Sequence, residues 1–571
     1  CGLPQAWSGR DQFTVAETGF GTGLNFLALW QMWRQHRANT KAWLHFVSFE
    51  GFPLLLGDAV RALSAWPELN DLSAKLLARW PDPARGVRRF IWPDEGVTLT
   101  LHVDDIAAAL PQSRFSADAW FLDGFSPSRN GEMWDAALFP LMAERSAPGA
   151  RVATFTVARA VRDGLSAAGF TVEKRAGFGR KRDCLEGVLT AEAARAPDLY
   201  ALRTPSRQPS TIAILGAGIA GAALAKTAME AGIHVTVFDP AGPASGASGN
   251  ALALVMPRLD ASDTPTSRIL IDAYFSARAF YRDLPGVSET EVRQTPKDDA
   301  EKQRFEKVLA DPPLPLEDLE ALSGGGLLHK RALILRPREI ISACLNGVET
   351  AFGAELDMNA ASRTLNGRAF DTIVLANGMA LAEHATWIGL VGKLGQVEHV
   401  GDLPNAPSSA VASGHYALAD GPDRLWGATF QAADGPPVES EAARIANQKA
   451  LGELQPWWRA QLRGTEWASR AGIRATTPDR LPIAGPMPDF ERCLDLFAPL
   501  RTGQAAAADA QVFPGVYMLG GLGSRGFTFA PWLATLLVSQ MQDWPAPAGQ
   551  SQWIGVSPMR FIYRGLKRGV L

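Results

Sequence analysis

A chain of 571 residues exceeds what one ordinary hydrophobic core supports, so several domains are expected. Hydrophobic residues at 47%, charged residues at 20% and a net charge of −3 describe a soluble globular protein. No apolar run approaches the ~20 residues that cross a bilayer, and a nucleic-acid partner would need a local basic face.

Four cysteines (Cys1, Cys184, Cys344, Cys493) lie far apart, so reduced thiols are expected, with neither a metal site nor a disulfide framework. The chain opens Cys1-Gly2-Leu3-Pro4, with no initiator Met and no signal-peptide pattern. It reads as part of a longer cytoplasmic protein whose beginning is missing.

In chain order, strand-like Phe13-Thr14-Val15-Ala16 leads into Glu17-Thr18-Gly19-Phe20-Gly21-Thr22-Gly23, and an apolar helix follows over 24–37. Strands are expected at 44–49, 97–103, 119–122, 151–156 and 184–189, with a helix at 158–168. This alternation predicts an α/β domain: an open, mainly parallel sheet with helices on both faces. Glycine lets a backbone approach a ligand closely, and Glu17 ahead of the turn would repel phosphate. It suits a cationic, amino-acid-bearing ligand such as S-adenosylmethionine, contacted by Glu17, Gly19, Gly21 and Gly23. Glu50 ends the second strand, where a carboxylate can accept ribose hydroxyls. Asp105 follows the third, within reach of an adenine amino group. Asp123 ends the fourth, again at a carboxyl end, where ligands of such sheets bind. Taken singly, each acid reads as a helix cap and the turn as structural. The order of all four points to one nucleoside ligand.

Residues 196–209, with three prolines and no period, read as a linker between a first domain (1–195) and a second (210–571). There, Ile212-Ala213-Ile214-Leu215 precedes Gly216-Ala217-Gly218-Ile219-Ala220-Gly221, a GxGxxG turn opening a helix over 219–232. Asp239 ends the next strand, 23 positions after Gly216, where dinucleotide ribose hydroxyls lie. FAD is favoured over NAD by two later pieces. The apolar strand from Asp371 ends in Asn377-Gly378, and Gly520-Gly521-Leu522-Gly523-Ser524-Arg525-Gly526 precedes another helix. A Rossmann-type FAD domain is expected, with a mixed α+β substrate subdomain within about 255–470.

These residues, with Phe121-Leu122-Asp123-Gly124-Phe125-Ser126-Pro127, Gly177-Phe178-Gly179-Arg180-Lys181-Arg182, Ala247-Ser248-Gly249-Asn250, Thr477-Pro478-Asp479-Arg480-Leu481-Pro482-Ile483 and Gly523-Ser524-Arg525-Gly526, resemble the MnmC family over essentially the whole chain. The second half is also similar to D-amino-acid and glycine oxidases. The chain departs from the family pattern at Gly51, where a Lys is usual, and at Asp104-Asp105, where Gly-Asp is usual.

The resemblance implies a bifunctional, monomeric cytoplasmic enzyme acting on tRNA with a modified wobble uridine. An FAD-dependent step removes the carboxymethyl group from 5-carboxymethylaminomethyl-(2-thio)uridine, and an S-adenosylmethionine-dependent step methylates the resulting amine. It adds Ser248, Gly249, Asn250, Asn377, Gly378, Gly523, Ser524, Arg525 and Gly526 to Gly216, Gly218, Gly221 and Asp239 as FAD-binding positions. Arg474 matches the carboxylate-binding arginine of the oxidases, a role its planar fork suits; the plainer reading is an ion pair with Asp479 or Glu466. Asp123 is expected to orient the amine, with burial raising its basicity. Phe125 and Trp134 are candidates to stack on uracil. Arg180, Lys181 and Arg182 with Arg175, and the tail Arg560, Arg564, Lys567 and Arg568, are candidate phosphate contacts. Two alternatives stand beside this reading: a small-molecule amine oxidase fused to a small-molecule methyltransferase, and an oxidase whose N-terminal half only binds tRNA.

Overall fold

The structure is a computed structural model. It describes all residues except 125–131, 178, 180, 181, 192–195, 204–206, 354, 402, 434 and 463, and omits the side chains of 132 and 459–461. Two units divide it: Cys1–Ala196 with Asp543–Ser551, and Pro197–Gln542 with Gln552–Leu571.

The first unit holds one eight-stranded sheet. Its strands are β1 (Gln12–Glu17), β2 (Trp43–Glu50), β3 (Gly86–Trp92), β4 (Val97–Val103), β5 (Ala117–Leu122), β6 (Ser146–Thr154), β7 (Phe170–Ala176) and β8 (Asp183–Leu189), in the order β3-β4-β2-β1-β5-β6-β8-β7. The run from β4 to β6 is parallel. Both faces of these strands are covered, which is why β4 is buried at every position even though Thr98, Thr100 and His102 alternate with its apolar residues. Helix α1 (Leu24–His36) lays Phe26, Leu27, Trp30 and Trp33 on one face of the sheet, with Trp30 4.6 Å from Trp92. Leu110, Phe139 and Leu165 cover the other face.

Two strands escape the sequence reading, and both pair antiparallel: β3 on β4, and β7 on β8. Charged residues blunt them, Arg88 and Arg89 in β3 and Glu173, Lys174 and Arg175 in β7, as edge strands require. A search for apolar runs passes over them.

The second unit has two main sheets. One is six-stranded, in the order Glu349–Phe352, β10 (His234–Asp239), β9 (Thr211–Leu215), Thr372–Leu375, Val512–Gly520, Ile483–Pro488, parallel except for the last pair. The other is ten-stranded and includes Ala253–Val255, Gly326–Leu335, Val391–Val400 and Ala468–Thr476. The substrate subdomain expected within 255–470 is therefore not one insertion. Strands Glu349–Phe352 and Thr372–Leu375 return to the nucleotide-binding sheet between its pieces, and its strand Ala468–Thr476 runs past 470.

Two boundaries need correction. Leu199, Tyr200 and Ala201, inside the expected linker, pack in the second unit against Cys493, Phe497 and Met559. Asp543–Ser551, expected in the second domain, belongs to the first unit. Trp544 lies 4.6 Å from Trp43 and 5.1 Å from His45, and the Ala546 N–H donates to Arg114 O at 2.9 Å. Its composition, Asp-Trp-Pro-Ala-Pro-Ala, has no period that would betray this docking.

Candidate functional site

In the first unit, strand order reverses between β1 and β5, and the acids foreseen in sequence gather at the carboxyl ends around that point. Glu17 ends β1 and is buried. Its Oε1 accepts from Asn25 Nδ2 at 2.7 Å and its Oε2 from Ser48 Oγ at 3.0 Å. The same Asn25 amide donates to Asp123 Oδ2 at 2.9 Å. Glu50 lies across the glycine turn, accepting from the N–H groups of Gly21 and Phe52, each at 2.8 Å. Burial pushes the Glu17 carboxyl up to about 8, with the charges of Asp123 and Glu50 adding to the rise and its two hydrogen bonds opposing it. Three carboxylates gathered at these strand ends, one of them kept protonated chiefly by burial, form a donor set for a cation.

Asp123 itself is exposed, so the desolvated acid of this site is Glu17 and not Asp123 as expected. Gly19 packs beside the Asp123 carbonyl and Gly23 caps the start of α1. Asp105 is the N-cap of helix Ile106–Gln112, its Oδ1 accepting from the Ala107 N–H at 2.7 Å. Asp104 is buried and paired with Arg85 at 3.1 Å, so Asp105 is the exposed member of that pair. Trp134 is half-buried and edge-on to Phe155 at 6.3 Å. Arg182 is exposed, and Arg175 pairs with Glu173 at 3.0 Å. Phe125, Arg180 and Lys181 lie outside the described residues. Asn25 and Ser48 were missed in sequence. Asn25 sits within the Gly-rich motif, but only the fold shows that its amide joins two acids.

In the second unit, α2 (Ile219–Glu230) follows the turn at Gly216–Gly218. A Cβ at Gly221 would lie 1.9 Å from Gly216 O, so only glycine lets this helix sit so close to the turn. Asp239 at the end of β10 accepts from the N–H groups of Ala217 and Ala241, each at 2.8 Å. Ser248 Oγ accepts from the Ile219 N–H at 3.1 Å at the mouth of α2. Asn250 Oδ1 accepts from Arg470 Nη1 at 3.0 Å, and Arg470 also holds the carbonyls of Ser245 and Gly246, which places the loop around Gly249. Arg470 is a positioning residue that sequence reasoning missed. Asn377 Oδ1 is buried and has no hydrogen-bond partner among the described residues.

Gly216, Gly218, Asp239, Ser248, Asn250 and Asn377 line a cavity of about 1200 Å3 together with Gly378 and the loop Gly523–Gly526 that leads into α3 (Gly526–Gln542), whereas Gly221 and Gly249 pack behind its wall. It exceeds the ~300–1,000 Å3 of ordinary ligand pockets. The volume, the glycine approach at α2 and the unsatisfied Asn377 oxygen fit a dinucleotide with room for a substrate beside it.

Arg474 stands in the wall of this cavity, on strand Ala468–Thr476. Its guanidinium lies over Gly395 of the paired strand, where a Cβ would fall 2.4 Å from it, and Nη1 donates to Thr429 O at 3.3 Å. Asp479 is not its partner. That carboxylate takes Arg560 at 2.8 and 3.0 Å and Arg564 at 2.7 Å. Arg560 is fully buried in this pair, so it is structural and not the exposed phosphate contact expected of the tail. Tyr416, half-buried and close enough to feel the charge of Arg474, shares the wall with Phe430, 5.9 Å from the guanidinium. The Gly523 N–H donates to Ala475 O at 2.9 Å, tying the arginine's strand to the glycine loop before α3.

The match to known families agrees with this division. Residues 67–190 match the S-adenosyl-L-methionine-dependent methyltransferases and residues 211–540 the FAD dependent oxidoreductases. The chain is thus a bifunctional enzyme, with a methyltransferase that uses S-adenosylmethionine and an oxidoreductase that uses FAD. It is 38% identical to the tRNA 5-methylaminomethyl-2-thiouridine biosynthesis bifunctional protein MnmC of Maricaulis maris (strain MCS10), over 100% of this chain and 91% of that protein. To the protein of the same name from Caulobacter sp. (strain K31) it is 37% identical, over 99% and 92%. The chain belongs to the MnmC family. Glycine oxidase from Geobacillus kaustophilus is similar over 59% of this chain and 96% of its own, at 17% identity and a TM-score of 0.47.

Proposed function

We propose that the substrate is tRNA bearing a 5-carboxymethylaminomethyl-(2-thio)uridine at the wobble position, converted first to the 5-aminomethyl and then to the 5-methylaminomethyl form. The observation that carries this reading is Arg474: a guanidinium in the wall of the dinucleotide cavity with no carboxylate partner among the described residues. A carboxymethylamine presents the carboxylate such a fork binds, and bidentate pairing would aim the adjacent C–H at the cofactor. FAD supplies the two-electron acceptor for that C–H. The resulting imine is hydrolysed by water to glyoxylate and the primary amine, so the protein's tasks are to hold the carboxylate and fix the orientation. Gly216, Gly218, Gly221, Asp239, Ser248, Gly249, Asn250, Asn377, Gly378 and Gly523–Gly526 hold FAD in this reading.

In the methyltransferase, Glu17, Gly19, Gly21, Gly23, Glu50 and Asp105 hold S-adenosylmethionine, which supplies the methyl group. Asp123, exposed beside Asn25, accepts a hydrogen bond from the amine and orients its lone pair. Trp134, with Phe125, forms the base-side wall, and Arg180, Lys181 and Arg182 bind the RNA backbone. The enzyme acts as a cytoplasmic monomer, where its substrate is found. No described helix is long and apolar enough to cross a membrane.

Incubating the chain with tRNA carrying the carboxymethylaminomethyl uridine, with and without S-adenosylmethionine, tests this by nucleoside mass spectrometry. The aminomethyl form without the methyl donor and the methylaminomethyl form with it are expected. An unchanged nucleoside from flavin-loaded protein would overturn the tRNA assignment in favour of small amines.

A further inference from the structure

The oxidase cavity gathers four arginines besides Arg474, with Asp298 and Glu301 the carboxylates beside them. Arg258, Arg304, Arg480 and Arg525 all line it. They come from four separate stretches: the segment after strand Ala253–Val255, helix Asp299–Ala310, the turn after Ala468–Thr476, and the loop before α3. Arg304 is held by Glu301 at 2.7 Å. Arg258, Arg480 and Arg525 make no side-chain hydrogen bond or ion pair among the described residues.

These arginines feel one another. Burial and then the charges of Arg258 and Arg304 push Arg525 down to about 10. Arg258 is lowered by burial and then by Arg304, Asp260 opposing the fall, Arg480 adding to it and Glu301 opposing it. Arg480 also has a φ of 62°, in the left-handed region that residues with a Cβ disfavour. Gathering like charges and holding one on a strained backbone is unfavourable unless something anionic sits among them.

The anions already placed do not account for this cluster. Arg474 serves the substrate carboxylate from its own strand. The N-terminus of α2 with Ser248 suits the cofactor's pyrophosphate. A nucleotide whose base enters a cavity brings its flanking phosphodiesters to the mouth, and here Arg258 and Arg480 are the exposed pair, with Arg304 and Arg525 half-buried behind them.

We propose that Arg258 and Arg480, backed by Arg304, form an anion site for a phosphodiester flanking the nucleotide whose base enters the oxidase cavity, with Arg525 beside them in the loop that holds FAD. This rests on the tRNA reading above and deepens it, because the site makes the oxidase prefer a polynucleotide to the same modified nucleoside without phosphate.

The test compares the full flavin-loaded chain with its Arg258→Gln, Arg480→Gln and doubly substituted variants on two substrates: the modified tRNA, and the free carboxymethylaminomethyl nucleoside. Conversion is read by mass spectrometry across a salt series. Each lost contact is expected to lower kcat/KM on tRNA about tenfold, with a much smaller loss on the nucleoside. The slope of log affinity against log salt for tRNA should fall by roughly 0.7 per phosphate contact removed. Arg480→Gly guards against a folding artefact. It relieves the backbone strain yet should show the same selective loss on tRNA, with flavin content retained. Equal losses on both substrates would overturn the site by assigning the cluster to the cofactor or the carboxylate; no loss on either would overturn it too. A wild-type chain inactive on tRNA overturns the substrate reading and this site together, whereas an active wild type with unaffected variants overturns this site alone.

Discussion

The two nucleotide turns begin alike, as a buried strand running through glycines into an apolar helix, and then diverge in charge. In the first unit the strand ends bring Glu17, Glu50 and Asp123 around one opening, with Asn25 joining two of them. In the second, Arg474 and the cluster of Arg258, Arg304, Arg480 and Arg525 line the cavity. In the proposed reading each site carries the charge opposite to its cargo, a sulfonium in one and a carboxylate and phosphates in the other. Similar backbone geometry thus serves opposite ligands, and the side chains at the strand ends and cavity walls decide which.

The largest expected effect breaks the cationic side. Arg474→Ala removes a charge-assisted fork, and the rate of flavin reduction by substrate under anaerobic conditions should fall about a hundredfold or more. Methylation of a substrate already carrying the primary amine should be unchanged. Loss of both activities would mean that the sites are not separately built.

Next in size is Trp544→Ala, which tests the composition of the first unit. Trp544 is nearly buried against Trp43 and His45, and truncation should cost about 3 kcal/mol. The lower thermal transition should be that of the methyltransferase, and flavin retention should hold.

Glu17 sharpens the comparison through pH. Its carboxyl stands at about 8 in the folded chain against an ordinary 4.5, so the folded state binds the extra proton between those values. That contribution to stability is present in full below about 4.5 and is lost as pH rises through about 8. A bound cation favours the ionised form, so S-adenosylmethionine affinity should rise with pH towards about 8, by at most about tenfold per pH unit. Glu17→Gln should flatten both slopes and weaken the ligand, as read by calorimetry and by thermal unfolding across pH.

The smallest effect is at Asp105. Replacing this N-cap by Ala should cost about 1 kcal/mol of stability, and Asp105→Asn, which keeps the cap, should restore it. If Asp105 also meets adenine, S-adenosylmethionine affinity will drop in Ala and stay altered in Asn.

Much of this was legible in the sequence, because the parallel strands are rich in apolar and β-branched residues and the glycine turns fall beside them. That is how β1, β2, β4, β5, β9 and β10 declared themselves, with Glu17, Glu50, Asp123 and Asp239 at their ends. Edge strands were not legible: β7 is half charged and reads as loop. Nor was the true state of Asp479, whose partners Arg560 and Arg564 lie 81 and 85 positions away.

By itself, then, the sequence determined two α/β units, the order of their cofactor turns and the acids and glycines at each strand end, since local periodicity and turn chemistry are written in neighbouring residues. Tertiary structure alone decided which acid is desolvated, that Glu349–Phe352 and Thr372–Leu375 rejoin the nucleotide sheet, that Asp543–Ser551 completes the first unit, and that four arginines line one cavity. Burial and long-range pairing depend on where distant segments come to rest, and no short stretch of chain encodes that.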